Sequence, residues 1–148
     1  MIYTEAKQGR VFILRLEDGE IMQDVIEEFA ERTGIQRAYI QAVGGADKGS
    51  ILITGPEESR SQKIVPIHSI LNDMHETFGF GTIFPKKNGK PSLYMHISCG
   101  REDNTITGEI RNGVKVWHVI EVIIIELLEN NSTRLADSKT GFDLLIPS

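Results

Sequence analysis

Three residues of this chain have the types and spacing needed to hold a metal ion: His96, Glu109 and His118. Two imidazoles and one carboxylate are a competent ligand set for zinc or another first-row divalent ion. The same groups could instead act as a general acid and base. They could also be ordinary polar side chains on the solvent-exposed side of a sheet, where His96 and Glu109 would form a cross-strand pair.

Three alternating segments are predicted to be neighbouring strands: residues 93–99, 105–111 and 114–128. If residues 101–104 close a hairpin, residue i faces residue 205 − i, and His96 lies opposite Glu109. Asn112-Gly113 is typical of a two-residue type I′ turn, which would bring His118 onto the same face. Directly opposed residues have Cβ atoms about 5 Å apart, so the sequence predicts a polar cluster.

Side-chain alternation divides these strands into two faces, and Tyr94 shares the polar face with His96. The other face is predicted to belong to the core; it carries Leu93, Met95, Ile97, Cys99, Ile106, Ile110, Trp117 and Val119. His75 could join the polar cluster if its strand lies beside residues 93–99. A lone histidine at the start of a strand is more often a surface residue.

The remaining elements must position this cluster. The spacing of Ile21, Val25, Ile26 and Phe29 predicts one amphipathic helix over residues 20–33, with Asp18 placed to cap its start and Gly34 to end it. Further strands are predicted at 11–16, 38–43, 48–54, 64–71 and 74–84, with a polar loop at 57–63. Residues 135–148 are expected to form an ordered tail that buries Phe142, Leu144, Leu145 and Ile146. These elements predict an α+β fold, a mostly antiparallel mixed β-sheet with one main helix packed on it.

Length and composition limit the possible functions. The 148 residues are expected to form a single domain, 1–148. The net charge of −5 argues against a nucleic-acid binder, which usually carries a basic patch. One cysteine excludes an intramolecular disulfide framework, and no apolar stretch reaches the roughly 20 residues of a membrane span. Since the first residues also lack a signal-peptide pattern, the sequence predicts a cytoplasmic protein with no membrane partner.

Several segments, in order along the chain, resemble the plants-and-prokaryotes conserved (PPC) domain family. They are residues 37–45 (RAYIQAVGG), 75–84 (HETFGFGTIF), 91–96 (PSLYMH), 107–110 (TGEI) and 121–124 (EVII), followed by Arg134, Asp137, Thr140, Gly141 and Leu145. The last set is similar to the terminal Arg-x-x-Asp-x-x-Thr-Gly pattern of prokaryotic members, which are described as predicted DNA-binding proteins. The resemblance covers nearly the whole chain.

This resemblance implies a compact α+β subunit that assembles as a homotrimer. In many prokaryotic members the His-x-His and Gly-Gly-His residues look like a metal site. Here Tyr94 replaces the first histidine, Glu109 replaces the histidine of Gly-Gly-His, and His75 stands where the family often has Glu. The expected site, for a divalent metal (zinc first among them) or a small-molecule ligand, therefore comprises His96, Glu109, His75, His118 and Tyr94.

Three functions are compatible with these features. The favoured hypothesis is a homotrimeric binding or regulatory module with a ligand site at His96 and Glu109. The family label suggests a DNA-binding transcriptional regulator, although the chain lacks the Arg-Gly-Arg-Pro core of an AT-hook. The overall fold also resembles acetolactate decarboxylase, a zinc enzyme, and by analogy a metal-dependent lyase or hydrolase is the third hypothesis.

Overall fold

The computed structural model describes residues 1–61, 64–111 and 113–148. Its elements, in chain order, are β1 (Lys7–Glu17), α1 (Met22–Thr33), β2 (Ala38–Ala46), β3 (Ile51–Pro56), β4 (Pro66–Ile70), β5 (His75–Pro85), β6 (Pro91–Arg101), β7 (Asn104–Glu109), β8 (Val116–Leu128), β9 (Thr133–Ala136) and β10 (Asp143–Ile146). Gln62 and Lys63, in the predicted loop, and Asn112, in the predicted turn, lie outside the described residues. No helix within the described residues is long and apolar enough to cross a membrane.

Helix α1 lies within its predicted range, but it begins without the expected cap. Ile21 is the N-cap residue, and no side chain among the described residues caps it. Asp18 instead accepts a hydrogen bond from the backbone N–H of His118, with 2.7 Å between the heavy atoms. Gly34 ends the helix at φ 73°, a left-handed conformation that favours glycine.

Strands β1 to β8 form one sheet in the order β1-β8-β2-β5-β6-β7-β3-β4, and every pair of neighbours is antiparallel. The α+β prediction is therefore confirmed. In the β6–β7 ladder, His96 pairs with Glu109 and Arg101 with Asn104, which is the predicted register. A two-residue turn thus joins these strands in place of the expected four-residue loop.

The predicted pairing of β7 with β8 across Asn112-Gly113 is wrong. β8 lies between β1 and β2, whereas β7 lies between β6 and β3. The carbonyl oxygen of Gly113 accepts a hydrogen bond from Ile51 N–H at 3.0 Å, so the chain passes beside β3 before it reaches β8. Five of the six residues 120–125 are Ile or Val, and a strand that is apolar on both faces is typical of the interior of a sheet.

A bulge in β8 changes which side chains face the core. Gly44 pairs with Ile120 but Gly45 pairs with Trp117, so β8 contains two additional residues at this point. His118 lies in the bulge with φ 56°. Trp117 and Val119 are 36% and 37% exposed, and their predicted place in the core is therefore wrong.

The inner face of the sheet is the face that packs against α1. Its buried side chains include Ile40, Ala42, Ile83, Leu93, Met95, Ile97, Cys99, Ile120, Val122 and Ile124, and the helix covers them with Met22, Ile26 and Ala30. Glu27 also ties the helix to the sheet, because its Oε1 accepts a hydrogen bond from Leu93 N–H at 2.8 Å. The apolar residues predicted in 93–99 all belong to this face.

The outer face is the opposite side, and cross-strand pairing arranges its side chains in three rows. The first row is Arg15, Glu121, Val43, Phe78, Ser98 and Thr107; the second is Ile13, Ile123, Gln41, Phe80, His96 and Glu109; the third is Val11, Ile125, Tyr39, Thr82 and Tyr94. Each row runs from β1 toward β6 or β7. Apolar side chains therefore predominate on β1, β8, β2 and β5, and polar side chains predominate on β6 and β7.

The tail forms a separate two-stranded ribbon of β9 and β10. Phe142, Leu144, Leu145 and Ile146 remain between 37% and 48% exposed, so the chain itself does not provide the burial expected for them. An isolated parallel bridge between Lys86 and Arg134 attaches the ribbon to the end of β5. The ribbon thereby brings Arg134 to the outer face.

Candidate functional site

The β6–β7 ladder brings together three of the five predicted site residues. His96 lies directly opposite Glu109, at the register predicted from the sequence. Tyr94 lies two residues earlier on the same face, and its ring is 5.2 Å from the imidazole of His96 in an edge-to-face arrangement. Both His96 and Tyr94 are exposed, whereas Glu109 is half-buried. These three residues form a polar group at the end of the second and third rows.

The carboxylate of Glu109 is already paired with a cation. Its Oε1 lies 2.6 Å from Nη2 of Arg111, and the Glu109 side chain is 13% exposed while that of Arg111 is 57% exposed. A short ion pair of this kind neutralises the carboxylate and occupies one of its oxygens. Glu109 is thus held in place by Arg111, which engages one of its two carboxylate oxygens.

The structure does not bring His118 to this group. β8 and β6 are separated by β2 and β5, and three strand spacings exceed about 14 Å. His118 lies on the β8 bulge, where its ring is 4.3 Å from that of Trp117. The separation has a simple cause, since His118 could reach Glu109 only if β7 and β8 formed a hairpin.

His75 lies on the other side of the sheet from His96. It is 4% exposed, and along β5 it shares the inner face with Thr77 while Phe78 and Phe80 face outward. Its Nδ1 lies 2.9 Å from the carbonyl oxygen of Asp73. His75 is thus a buried structural residue at the β4–β5 connection, away from the outer-face group.

The donors of one chain do not fit a zinc site. Among the described residues, no group of three or more His, Cys, Asp or Glu side chains is placed to hold a metal ion. Of the five expected site residues, His96, Glu109 and Tyr94 lie together, and Arg111 competes for the carboxylate. Structural and catalytic zinc sites in proteins use at least three protein ligands, so the donors that one chain brings together in its described residues fall short of a zinc site.

Arg134 belongs to this group, although sequence periodicity gave it no role. Its guanidinium carbon lies 4.9 Å from the centroid of the Tyr94 ring, and Nη2 donates a hydrogen bond to Thr82 Oγ1 at 2.9 Å. The polar end of the outer face is therefore Tyr94, His96, Glu109, Arg111 and Arg134. The one signal for Arg134 in the sequence was its position in the terminal Arg-x-x-Asp-x-x-Thr-Gly pattern, which does not say what it contacts.

A cavity of about 280 Å³ opens on the outer face, one row away from the polar end. Val43, Glu76, Thr77, Phe78, Ser98, Gly100 and Thr105 line it. Gly100 leaves room there, because a Cβ at this position would meet only Thr105 Oγ1, at 3.8 Å. The outer face therefore has a depression between its apolar part and the part that is rich in Ser and Thr hydroxyl groups.

Comparison with known proteins gives one family and one fold. The family model described as the Plants and Prokaryotes Conserved (PCC) domain matches residues 3–128. The solved structure of the metal-containing protein AF0104 from Archaeoglobus fulgidus superposes with a TM-score of 0.85 at 26% identity, covering 99% of both chains. A plant- and prokaryote-conserved (PPC) protein from Pyrococcus horikoshii superposes with a TM-score of 0.83 at 24% identity, covering 97% of this chain and 96% of that one.

A more distant match has the same fold. The “putative dna binding protein” from Bacteroides thetaiotaomicron superposes with a TM-score of 0.75 at 15% identity, covering 95% of this chain and 96% of that one. No curated protein matches the chain in sequence. The similarity in fold therefore extends over both the sheet and the terminal ribbon, beyond the residues that the family model matches.

Proposed function

Because the chain belongs to the Plants and Prokaryotes Conserved domain family, we propose that it is a homotrimeric binding module. In this proposal the apolar part of the outer face contacts the neighbouring copies. The polar end, with His96 and Glu109, binds a small ligand close to the boundary between subunits.

The observation that carries the proposal is the exposed apolar area of the outer face. Val43, Phe78 and Phe80 are 51%, 57% and 50% exposed, and they lie on adjacent strands in adjacent rows. Ile123 and Ile13 extend the second row to the edge of the sheet. A contiguous apolar patch on a sheet face marks an interaction surface, because isolated chains rarely leave one in water.

A second copy of the chain is the partner that this patch favours. A contact between two different patches of identical chains closes into a ring when its rotation allows, and three copies are what family membership implies. His96 and Phe80 are direct cross-strand partners in the second row. A subunit that covers Phe80 therefore also approaches the polar end. We accordingly expect ligand binding and assembly to be coupled.

Changing Phe80 to Glu tests the assembly. Three chains of 16.6 kDa give a particle of about 50 kDa, which light scattering or analytical ultracentrifugation distinguishes from a single chain. We expect wild-type protein at the trimer mass and Phe80→Glu at the mass of one chain, since the new carboxylate would be buried without a partner.

Ile70→Glu is the matched control. Ile70 is 64% exposed on β4, outside the three rows, and the substitution changes the net charge by the same amount. It should remain trimeric. A wild-type protein that is a single chain at micromolar concentration, or a Phe80→Glu variant that stays trimeric, would contradict the proposal.

DNA binding, which the name of the Bacteroides protein suggests, is the alternative function. Its electrostatic basis is weak here, because eight ion pairs among the described residues engage half of the chain's 16 Lys and Arg side chains. We expect no change in the anisotropy of a labelled DNA duplex at about 50 mM salt. Binding that weakens steeply as salt rises would favour the DNA alternative over the small-ligand proposal.

A further inference from the structure

The guanidinium of Arg134 is buried at the edge of the outer face. Arg134 is 7% exposed, and its guanidinium carbon lies 4.9 Å from the ring centroid of Tyr94 and 5.8 Å from that of Phe84. Nη2 donates to Thr82 Oγ1 at 2.9 Å, and Nη1 donates to the carbonyl oxygen of Asp143 at 3.4 Å. These contacts orient the group, but all of the partners are uncharged.

The neighbouring carboxylates are each paired with another cation. Glu109 pairs with Arg111 at 2.6 Å, and Asp143 pairs with Lys86 at 3.2 Å. Among the described residues, no carboxylate oxygen lies within 4.0 Å of a nitrogen of Arg134. These three cations and two carboxylates leave a net charge of +1, and Arg134, the most buried of the cations, is the one without a carboxylate in direct contact.

Arg134 also has hydrogen-bond donors to spare. A guanidinium has five N–H donors, and two of those on Arg134 have acceptors in the described part of the chain. Its Nε is buried and meets no acceptor among those residues. Burial lowers the pKa of Arg134, which reflects the loss of hydration around its charge. A buried charge is normally retained only where a partner neutralises it and uses its donors.

We propose that Arg134 anchors a binding site for a small organic carboxylate. The planar guanidinium fork matches a carboxylate in shape and charge, and its contact with the Tyr94 ring, 4.9 Å from the guanidinium carbon to the ring centroid, places the ligand beside that ring. Tyr94 is 42% exposed, and its ring lies edge-to-face with that of His96 at 5.2 Å, so the remainder of the ligand would extend past Tyr94 toward the imidazole. The favoured ligand is thus a carboxylate that bears a second polar group, such as a dicarboxylate.

This inference rests on the proposed function for one point, that the polar end is where a ligand binds. It adds the chemical class of the ligand and assigns the recognition to a residue beyond the stretch that the family model matches. Assembly through Phe80 and recognition through Arg134 are measured separately, so either can fail without the other.

The test is a titration of the purified full chain with succinate, citrate and inorganic phosphate, with sodium chloride at equal ionic strength as reference. We expect succinate or citrate to raise the Tm by about 2 °C or more above the chloride reference, because a ligand that binds only the folded state stabilises it. Calorimetry should show binding that weakens about tenfold or more in Arg134→Gln. Lys87→Gln is the matched control, since it removes an exposed cation next to Lys86 and leaves both Arg134 and the Lys86–Asp143 pair in place.

If Arg134→Gln does not fold, Arg134→Lys answers the question, because it keeps the charge and loses the fork; we expect it to bind about tenfold more weakly as well. The proposal is overturned if neither carboxylate stabilises wild-type protein beyond chloride, if both Arg134 variants bind as wild type does, or if phosphate binds more tightly than the carboxylates. It is also overturned if Arg134→Gln dissociates the trimer and wild type ignores all three anions, since the counter-ion would then come from a neighbouring subunit. Carboxylate binding by a wild-type protein that is a single chain would support this inference and contradict the proposed assembly.

Discussion

The two faces of the sheet use similar residues in opposite ways. On the inner face, Ile40, Ile97 and Ile124 are at most 1% exposed beneath α1. On the outer face, Phe78 and Phe80 are at least 50% exposed, and Ile13 is 84% exposed. Folding of one chain accounts for the first set, because burial of apolar side chains is its main driving force. The second set gains little from the folding of one chain, and the proposed assembly is what would bury it.

The polar residues of the two faces differ in the same way. On the inner face, the His75 ring and the Thr77 hydroxyl both bond to carbonyl oxygens of their own chain. On the outer face, Arg134 is buried with an Nε that has no acceptor in the described residues. The polar groups of the inner face named here thus have partners within the chain, while the outer face combines exposed apolar side chains with a buried Arg134 Nε that meets no acceptor among the described residues.

Truncation of one apolar residue on each face should give the largest difference in stability between the two faces. Ile97→Ala removes a fully buried side chain from the inner face, and we expect it to lower the free energy of unfolding by about 2–5 kcal/mol. Phe80→Ala should cost less than about 1 kcal/mol in a dissociated chain, since half of the ring is already in water. Urea denaturation measures both.

Measuring the two variants at several protein concentrations separates stability that comes from association from stability that comes from packing within the chain. Stability that comes from association depends on concentration, whereas stability from packing within the chain does not. The loss in Phe80→Ala should therefore grow as the concentration is raised, and the loss in Ile97→Ala should stay constant. Equal losses for the two variants at every concentration would show that the faces do not differ in the way proposed.

Gly79 and Gly100 allow a second comparison on one pair of strands. A Cβ at Gly79 would clash with the carbonyl oxygen of His96 and would lie 2.8 Å from Ile97 Cα. Backbone atoms cannot move aside as a flexible side chain can, so we expect Gly79→Ala to destabilise the chain by about 1–3 kcal/mol. Gly100→Ala points into the open cavity and should be nearly neutral in thermal unfolding. A neutral Gly79→Ala would mean that β5 and β6 can separate without loss.

Glu126, at the margin of the inner face, should make the free energy of unfolding depend on pH. Hydrogen bonds from Arg10 lower the pKa of Glu126, against the opposing effect of its burial. Since the folded-state pKa is below the unfolded value, near 4.3, this carboxylate stabilises the protein above that pH, and the stabilisation is lost as the pH falls through the folded value.

Comparison of Glu126→Gln with wild type measures this effect. The difference in unfolding free energy should be largest near pH 7, should disappear in acid, and should be smaller than the effect of Gly79→Ala. Glu129→Gln is the control, because its pair with Lys7 is exposed on both sides and should change the pH profile less. A difference that persists below pH 3 would assign the effect of Glu126→Gln to packing.

Local patterns in the sequence predict most of the fold. The spacing of Ile21, Ile26 and Phe29 predicts the helix, and alternation with one short loop predicts the pairing of His96 with Glu109. Both depend on neighbours in sequence. The position of β8 between β1 and β2 depends on contacts between residues about 70 to 120 positions apart, which no local pattern encodes.

The sequence predicts only the part of the site that the β6–β7 hairpin positions. His96, Glu109 and Tyr94 lie together because one hairpin positions them. His118 was assigned to them through a turn that joins different strands, and His75 through a strand whose inward face could not be read from its residues. Arg134 arrives from a ribbon about 40 residues away, so its contact with Tyr94 is a consequence of tertiary structure.

The smallest expected change in the free energy of unfolding is at the β8 bulge. It contrasts an irregular part of the outer face with a regular strand. His118 has φ 56°, a left-handed conformation that disfavours a side chain by roughly 1 kcal/mol. We therefore expect His118→Gly to raise the free energy of unfolding by less than about 1 kcal/mol, seen as a small rise in Tm. His96→Gly is the control, since it makes the same change in regular β6, where glycine weakens a strand by roughly 0.5–1 kcal/mol. The two variants should thus shift the Tm in opposite directions. If His118→Gly destabilises the protein instead, the ring contact with Trp117, at 4.3 Å, outweighs the backbone strain, and the bulge is held by its side chains.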